Sequence, residues 1–302
     1  MGLGGNQCSV FRVQQQQVSQ EPMAGFGIIF RKGSVLKIDY TVFTKPWPTK
    51  SLDELGKFVA GLGFQGVELP VRPGFQVEPG RVATGLAEAA KILGDHGVKI
   101  GTVAGPTDEA TIAACAGAGV PIIRVCVRLD PKKGYMAEEA RIKTEYEALV
   151  PTLEKHGVAI GIQNHCDNNV NHAMGIRHLI EGFEPKHFCA VLDQAHCGLN
   201  GEPPEYAIDI VWSHLKVLNL KSSFWVRSNG PDASEAEWKK YWTTGRHGLA
   251  YWTRVVRELK KRDYSGDICL TAEYTDDDRV DDLIAEDIAY AKHLFDTVAI
   301  DG

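Results

Sequence analysis

The sequence predicts an α/β fold: a single-domain (β/α)8 barrel of eight parallel strands, each followed by a helix. Three observations carry that expectation. From residue 34 onward, short apolar runs alternate strictly with helical patterns, and such alternation implies parallel strands joined by right-handed crossovers. Eight units in about 265 residues match the ~250 typical of a closed barrel. Several apolar runs end abruptly in polar, metal-capable side chains, which is what a barrel with its chemistry at one mouth requires. An open doubly wound sheet is disfavoured, because no GxGxxG follows the first strand.

In chain order, VLKIDYTVF at 35–43 reads as the first strand. A helix over 51–61 follows, with Ser51 and Glu54 spaced as a capping box and Gly61 and Gly63 as its stop. FQGVELPV at 64–71 is the second strand, and a helix over 81–95 leads to the third, VKIGTVAG at 98–105. Thr107 is placed to cap the helix at 108–119, and PIIRVCVRL at 121–129 is the fourth strand. The helix at 136–156 carries Ala140, Ile142, Tyr146, Leu149 and Leu153 near helical spacing, and Gly157 ends it. The fifth strand begins at Val158 and ends in Gln163, Asn164 and His165. A helix at 171–182, a strand from Phe188 to Asp193, a helix at 205–215 and a strand from Lys216 come next. The segment 224–246 reads as a long polar connection holding Trp225, Trp238, Tyr241 and Trp242. A helix at 249–262, the strand DICLTAEY at 267–274 and a helix at 280–295 complete the pattern.

The composition fits a soluble globular protein, with 44% hydrophobic and 24% charged residues. A formal net charge of -6 argues against a nucleic-acid-binding surface, which is usually basic. No apolar run approaches the roughly 20 residues that cross a bilayer, so no membrane association is expected. The seven cysteines (Cys8, Cys115, Cys126, Cys166, Cys189, Cys197, Cys269) show no CxxC pair. Most sit in apolar runs, where a reduced thiol behaves as a small hydrophobe, so a reducing, cytoplasmic setting is expected. Residues 1–33, with Gly-rich GLGG and four consecutive glutamines, read as a poorly ordered leader, with Met23 as an alternative start.

Alternate side chains of a barrel strand point inward. Gln163, Asp193, Asn219 and Glu273 then form a ring of oxygen donors from the fifth to eighth strands, suited to Mg²⁺ or Mn²⁺, with His165 or His196 as a nitrogen ligand. Each has a blander reading. Asp193 in this reading only caps a turn before the helix, which its histidine neighbours disfavour, and buried amides such as Gln163 and Asn219 often satisfy backbone groups. Lys221 either receives an anionic substrate oxygen or pairs with Asp193 or Glu273. Glu68 reads as a further substrate-facing carboxylate from the second strand, and Arg124 and Arg128 read as internal salt-bridge partners. Trp47, Trp225, Trp238 and Trp242 offer ring faces for a sugar or for packing.

These residues resemble the xylose-isomerase-like TIM barrels, the sugar phosphate isomerases and epimerases. The resemblance runs from about Val35 to Phe295, through FQGVEL at 64–69, GIQNH at 161–165, VLDQAH at 191–196, KVLNLKS at 216–222 and YSGDICLTAE at 264–273. It implies a metal held by Glu, Asp, His and Glu on the last four strands, positions occupied here by Gln163, Asp193, Asn219 and Glu273. Two of the four ligands therefore depart from the pattern, and the seventh strand's usual His-Leu-Lys-Asp ending is Asn219-Leu220-Lys221-Ser222. The resemblance also implies that His196 contacts substrate and that Lys221 belongs to the site.

The implied function is a divalent-metal-assisted isomerase or epimerase acting on a sugar, keto-sugar or polyol by proton abstraction next to a carbonyl. Glu273 is the expected base, with His165, His196 and Lys221 assisting, and Glu68, His196, Lys221 and Trp225 contacting substrate. Glutamine at 163 cannot take a proton, so a two-glutamate mechanism is incomplete and the Mn²⁺ or Mg²⁺ site is weakened or lost. A dehydratase or lyase on a related cyclitol, and a non-catalytic sugar-binding barrel with a degenerate metal site, are the alternatives. Endonucleases acting at abasic sites resemble this fold but rank last, given Asn219 at a ligand position and the acidic charge. Self-association into a homo-oligomer is left open.

Overall fold

A computed structural model describes residues 36–300, so the leader expected at 1–33 lies outside the described residues. The strands are β1 (Ile38–Phe43), β2 (Gly66–Pro70), β3 (Lys99–Ala104), β4 (Ile122–Cys126), β5 (Ala159–Gln163), β6 (Phe188–Asp193), β7 (Leu215–Leu220), β8 (Ser222–Arg227), β9 (Trp238–Thr243) and β10 (Gly266–Leu270). The helices are α1 (Leu52–Gly61), α2 (Val82–Asp95), α3 (Glu109–Gly117), α4 (Tyr135–His156), α5 (Ala173–Ile180), α6 (Gln194–Leu199), α7 (Pro204–Val211), α8 (Trp252–Lys261) and α9 (Val280–Thr297). β1 to β7 and β10 form a closed parallel barrel, with β1 sealing the ring against β10. Each of the eight expected strands and eight expected helices is present, and the expected (β/α)8 architecture is the observed one.

Local chemistry sets the boundaries. Ser51 and Glu54 make the reciprocal capping box at the start of α1. Gly157 takes the left-handed conformation, φ 64°, and its N–H closes α4 onto Leu153. The α3 cap is Asp108 rather than Thr107: the Asp108 carboxylate accepts from the Thr111 N–H, and a short carboxylate caps at least as well as a threonine hydroxyl.

Two features escaped the sequence pattern. The polar segment 224–246 contains an antiparallel hairpin, β8 with β9, which leaves the barrel one residue after β7 ends. The run from Lys216 therefore spans nearly all of one strand and the start of another. The six-residue helix α6 follows β6 without a linker, too short for a periodic signature.

The ring has two faces. Outward side chains such as Ile160, Ile162, Leu192 and Leu218 pack under the helices in the main core. Inward, a smaller apolar layer of Phe43, Ala104, Val191, Val217 and Cys269 fills the middle of the barrel. Gly161 belongs to this inner face. A Cβ there would come within 2.7 Å of the Val191 side chain and 2.9 Å of Ile122, so the layer closes only around a glycine. Below the layer, Lys99 ties β3 to Asp39 of β1 and Asp267 of β10, at 2.9 and 3.0 Å. Above it, Arg124 of β4 forks onto Glu68 of β2, with Nε 3.1 Å from each carboxylate oxygen and Nη2 on Oε1. Thr102 donates a further bond to the same carboxylate at 2.9 Å. Arg124 is thus the internal salt-bridge residue its position suggested, whereas Arg128 is exposed.

The hairpin is fastened to the barrel through α9. Asp287 accepts from the Gly245 N–H at 2.9 Å and from the Tyr274 hydroxyl at 2.8 Å. Gly245 lies so close to Trp252 that a Cβ would fall 2.4 Å from the indole. The six described cysteines are free thiols, and no helix among the described residues is long and apolar enough to cross a membrane.

Two stability predictions follow from these buried groups. Glu68→Leu alone strands the Arg124 charge and should cost about 3–5 kcal/mol in urea unfolding, whereas Glu68→Leu with Arg124→Leu should recover much of that loss. Burial lifts the Asp287 pKa to about 7 against the hydrogen bonds that oppose it. The folded state then keeps a proton that the unfolded chain has lost above its carboxylate pKa of roughly 4. Stability from this group is complete below that pH and declines as pH rises to about 7. Asp287→Asn should flatten that decline by roughly 2–4 kcal/mol, read from urea melts at pH 4 and pH 8.

Candidate active site at the barrel mouth

The C-terminal ends of β5, β6, β7 and β10 converge on one polar cluster. Register places Asp193 beside Asn219, and Asn219 beside Cys269, while Gln163 sits beside Val191. Residues two apart on a strand share a face, so Gln163, Asp193 and Asn219 all point inward above the apolar layer. Glu273 follows β10 by three residues, after Ala272 in the left-handed region at φ 51°. A non-glycine held there is strained, a condition that surrounding structure must enforce.

Asp193 is fully buried and its carboxylate is heavily engaged. Oδ2 accepts from Gln163 Nε2 at 2.7 Å, and Oδ1 accepts from the backbone N–H groups of Ala195 and His196 at 3.0 and 3.3 Å. It is therefore both the N-cap of α6 and a member of the central cluster. Asn164 holds its backbone on both sides, accepting from the Asp193 N–H at 2.7 Å and donating to its carbonyl at 3.0 Å. Burial raises the Asp193 pKa, opposed chiefly by the Lys221 charge.

Glu273 lies between two ammonium groups, Lys221 at 2.6 Å and Lys45 at 2.5 Å. Burial alone would raise its pKa, but Lys221 and then Lys45 override that and hold it well below the usual carboxylate range. Lys221 is itself buried, with Nζ 3.8 Å from the centroid of the Trp242 ring.

His196, also fully buried, accepts at Nδ1 from the Cys166 N–H at 3.1 Å. That bond fixes the tautomer with the proton on Nε2, which has no partner among the described residues and lies 3.9 Å from Asp193 Oδ2. Burial, and then the Lys221 charge, push its pKa well below the ordinary histidine value, so the ring is neutral. Its centroid is 4.2 Å from that of His165 and 5.4 Å from that of Trp242. Both polar atoms of the Asn219 amide and the Thr271 hydroxyl are likewise buried and unpartnered.

Above this floor lies a cavity of about 600 Å³ lined by Lys45, His165, Lys221, Trp242, Glu273 and Tyr274, among others. Of the residues expected from the sequence, Glu273, Lys221 and His165 line it, while Gln163, Asp193, Asn219 and His196 are buried in the barrel around its base. Glu68 is fully enclosed in its ion pair with Arg124. Trp225 lies on the exposed hairpin strand β8, its indole N–H bonded to the Leu199 carbonyl at 3.0 Å; the tryptophan that reaches the cavity is Trp242, from β9. Lys45 had no expected role. It sits just past β1 in a strand-to-helix loop, the class of position from which barrel sites are built, and that placement was its only signal.

The four-residue metal set does not fit a divalent ion as the side chains are disposed. Gln163 directs its amide nitrogen, not its oxygen, at Asp193, and both Glu273 oxygens hold ammonium groups. Only Asn219 keeps a free oxygen. Two carboxylates already matched by two lysines leave little negative charge to attract a further double charge. Accordingly, millimolar MnCl2 should move the melting temperature of the purified protein by less than about 1 °C, whereas a binder saturated a hundredfold would gain about 2.7 kcal/mol. A rise of several degrees would refute the misfit.

The family model for the xylose isomerase-like TIM barrel matches residues 57–294. No curated protein sequence matches significantly. Among solved structures, D-psicose 3-epimerase from Clostridium cellulolyticum H10 superposes with a TM-score of 0.64 at 14% identity, covering 85% of this chain and 99% of that one. The 3-keto-D-glucoside 4-epimerase of E. coli gives 0.62 at 12% identity over 86% and 100%. The probable 3-DHS dehydratase of Bacillus anthracis gives 0.61 at 13% over 84% and 98%. At such identities the superpositions establish the fold, and the match over most of the length establishes the lineage: the chain belongs to the xylose isomerase-like TIM barrel family.

Proposed function

We propose that the protein binds a sugar, keto-sugar or polyol at the barrel mouth and, where the ligand carries a carbonyl, moves a proton next to it, as an isomerase or epimerase, without help from a divalent metal. The observation that carries the binding half is the cavity itself, where Lys45, His165, Lys221, Glu273 and Trp242 converge on one concave space. A few convergent polar and charged groups in a concave site are what orient a polyhydroxylated ligand. The Trp242 face beside them suits the apolar side of a sugar ring. Two of the superposed structures carry epimerase names, which supports the same class of reaction.

The chemical half rests on Lys45, Glu273 and Lys221. An ammonium group can polarise a carbonyl oxygen in the role otherwise given to a metal. When a substrate oxygen draws Lys221 away from Glu273, the carboxylate loses one of the two charges that depress its proton affinity, and it becomes a stronger base at the moment it is needed. Gln163 cannot act as the second base, so His196 or His165 must return the proton in an epimerisation.

The test is solvent exchange. Fructose, psicose and an inosose incubated in D2O with the enzyme should lose the proton next to the carbonyl, seen by proton NMR. Glu273→Gln should slow the exchange by about 10²–10⁴-fold. Unimpaired exchange in that variant would remove Glu273 from the mechanism. Binding of these compounds without exchange would instead favour a sugar-binding barrel, a reading for which the amide at Gln163 is the specific observation.

A further inference from the structure

A second cavity, of about 430 Å³, opens at the ends of β2, β3 and β4, lined by Val71, Arg72, Pro106, Arg124 and Cys126 among others. Arg124 is committed to Glu68. Arg72, two residues past β2, is held by its backbone, which donates to the Val77 carbonyl at 3.1 Å and accepts from the Phe75 N–H at 3.2 Å. Its side chain is only partly exposed, the guanidinium packs 5.7 Å from the centroid of Phe43, and no hydrogen bond or ion pair reaches that guanidinium among the described residues. Arg124 lies against the same ring, at 4.8 Å. Two guanidinium groups therefore share one ring, while the Glu68 carboxylate bonds only Arg124, which leaves the Arg72 charge without an ion pair.

We propose that this cavity receives an anionic substituent of the substrate, a carboxylate or a phosphate, on the guanidinium of Arg72, so that the preferred ligand is an acidic or phosphorylated sugar rather than a neutral one. The proposal rests on the reading of the mouth as a sugar site and adds the substrate class. A planar guanidinium matches either anion in bidentate fashion, and half-burial strengthens such a bond over one in open water. Burial, and then the Arg124 charge, lower the Arg72 pKa, the signature of a cation short of partners. Glu68 and Glu273 oppose that shift, so Arg72 lies within electrostatic reach of the carboxylate that lines the first cavity.

Binding of D-galacturonate, D-fructose 6-phosphate and D-fructose, measured by calorimetry at low ionic strength on the wild type and on Arg72→Gln, tests this. At least one of the two charged ligands should bind about tenfold or more tightly than fructose, the size of one charge-assisted hydrogen-bonded contact. Arg72→Gln should erase that preference while leaving fructose affinity within about twofold. Which charged ligand is preferred tells a carboxylate from a phosphate. Fructose bound as tightly as both, a preference that survives Arg72→Gln, or no binding of any of the three, would each overturn the proposal. A preference for the anion that depends on Arg72, in an enzyme that exchanges no proton, would uphold the anion site and sink the isomerase reading instead.

Discussion

A closed ring of eight strands has an interior only a few side chains wide, and a charge that faces it has little water to solvate it. The ionic groups turned inward here are therefore answered by opposite charges or, for Asp193, by hydrogen-bond donors. Lys99 takes Asp39 and Asp267 at one end, and Arg124 takes Glu68 above the apolar layer. Glu273 takes two lysines at the mouth. The same requirement explains Gln163, whose amide hydrogen-bonds Asp193 where a carboxylate would repel it. These pairings hold the interior together and at the same time decide what the mouth can bind.

The distribution of satisfied and unsatisfied groups divides the barrel by function. At the Lys99 end the carboxylates Asp39 and Asp267 are both paired with the lysine, and the role is structural. At the mouth, Asn219, Thr271 and His196 keep buried polar atoms without partners, and Ala272 is held in a strained conformation directly before Glu273. Such departures from local optimum persist only where surrounding structure enforces them, and they concentrate at functional sites. With Glu273 matched by two lysines and Glu68 by Arg124, the mouth is organised around paired ammonium, guanidinium and carboxylate charges.

The hairpin β8–β9 is the main addition to the eight-unit plan. It brings Trp242 over Lys221, and Lys240 onto Asp167 at 2.7 Å, and so builds one wall of the cavity. Its attachment is polar and close-packed. Asp287 grips the Gly245 backbone, and Gly245 is pressed against Trp252. Cavity shape is thereby tied to α9, far away in sequence.

The apolar runs and their spacing by themselves determined the eight strands, the eight helices and the closed ring, because a period of two or of 3.6 is a local property that burial makes visible. The end of the apolar pattern at Gln163, Asp193, Asn219, Lys221 and Glu273 likewise marked which side chains would gather. Tertiary structure alone decided how they pair. Glu273 meets Lys45 across 228 residues, and Glu68 meets Arg124 across 56. No local pattern encodes partners so far apart, since the pairing depends on which inward positions fall at the same height once the strands close and stagger. Tertiary structure likewise chose Trp242 over Trp225 as the cavity's aromatic wall: the register sets both rings on one face of the ribbon, but Trp242 stands opposite Ser223 next to the barrel, whereas Trp225 stands farther along, opposite Lys240, where its indole meets the Leu199 carbonyl.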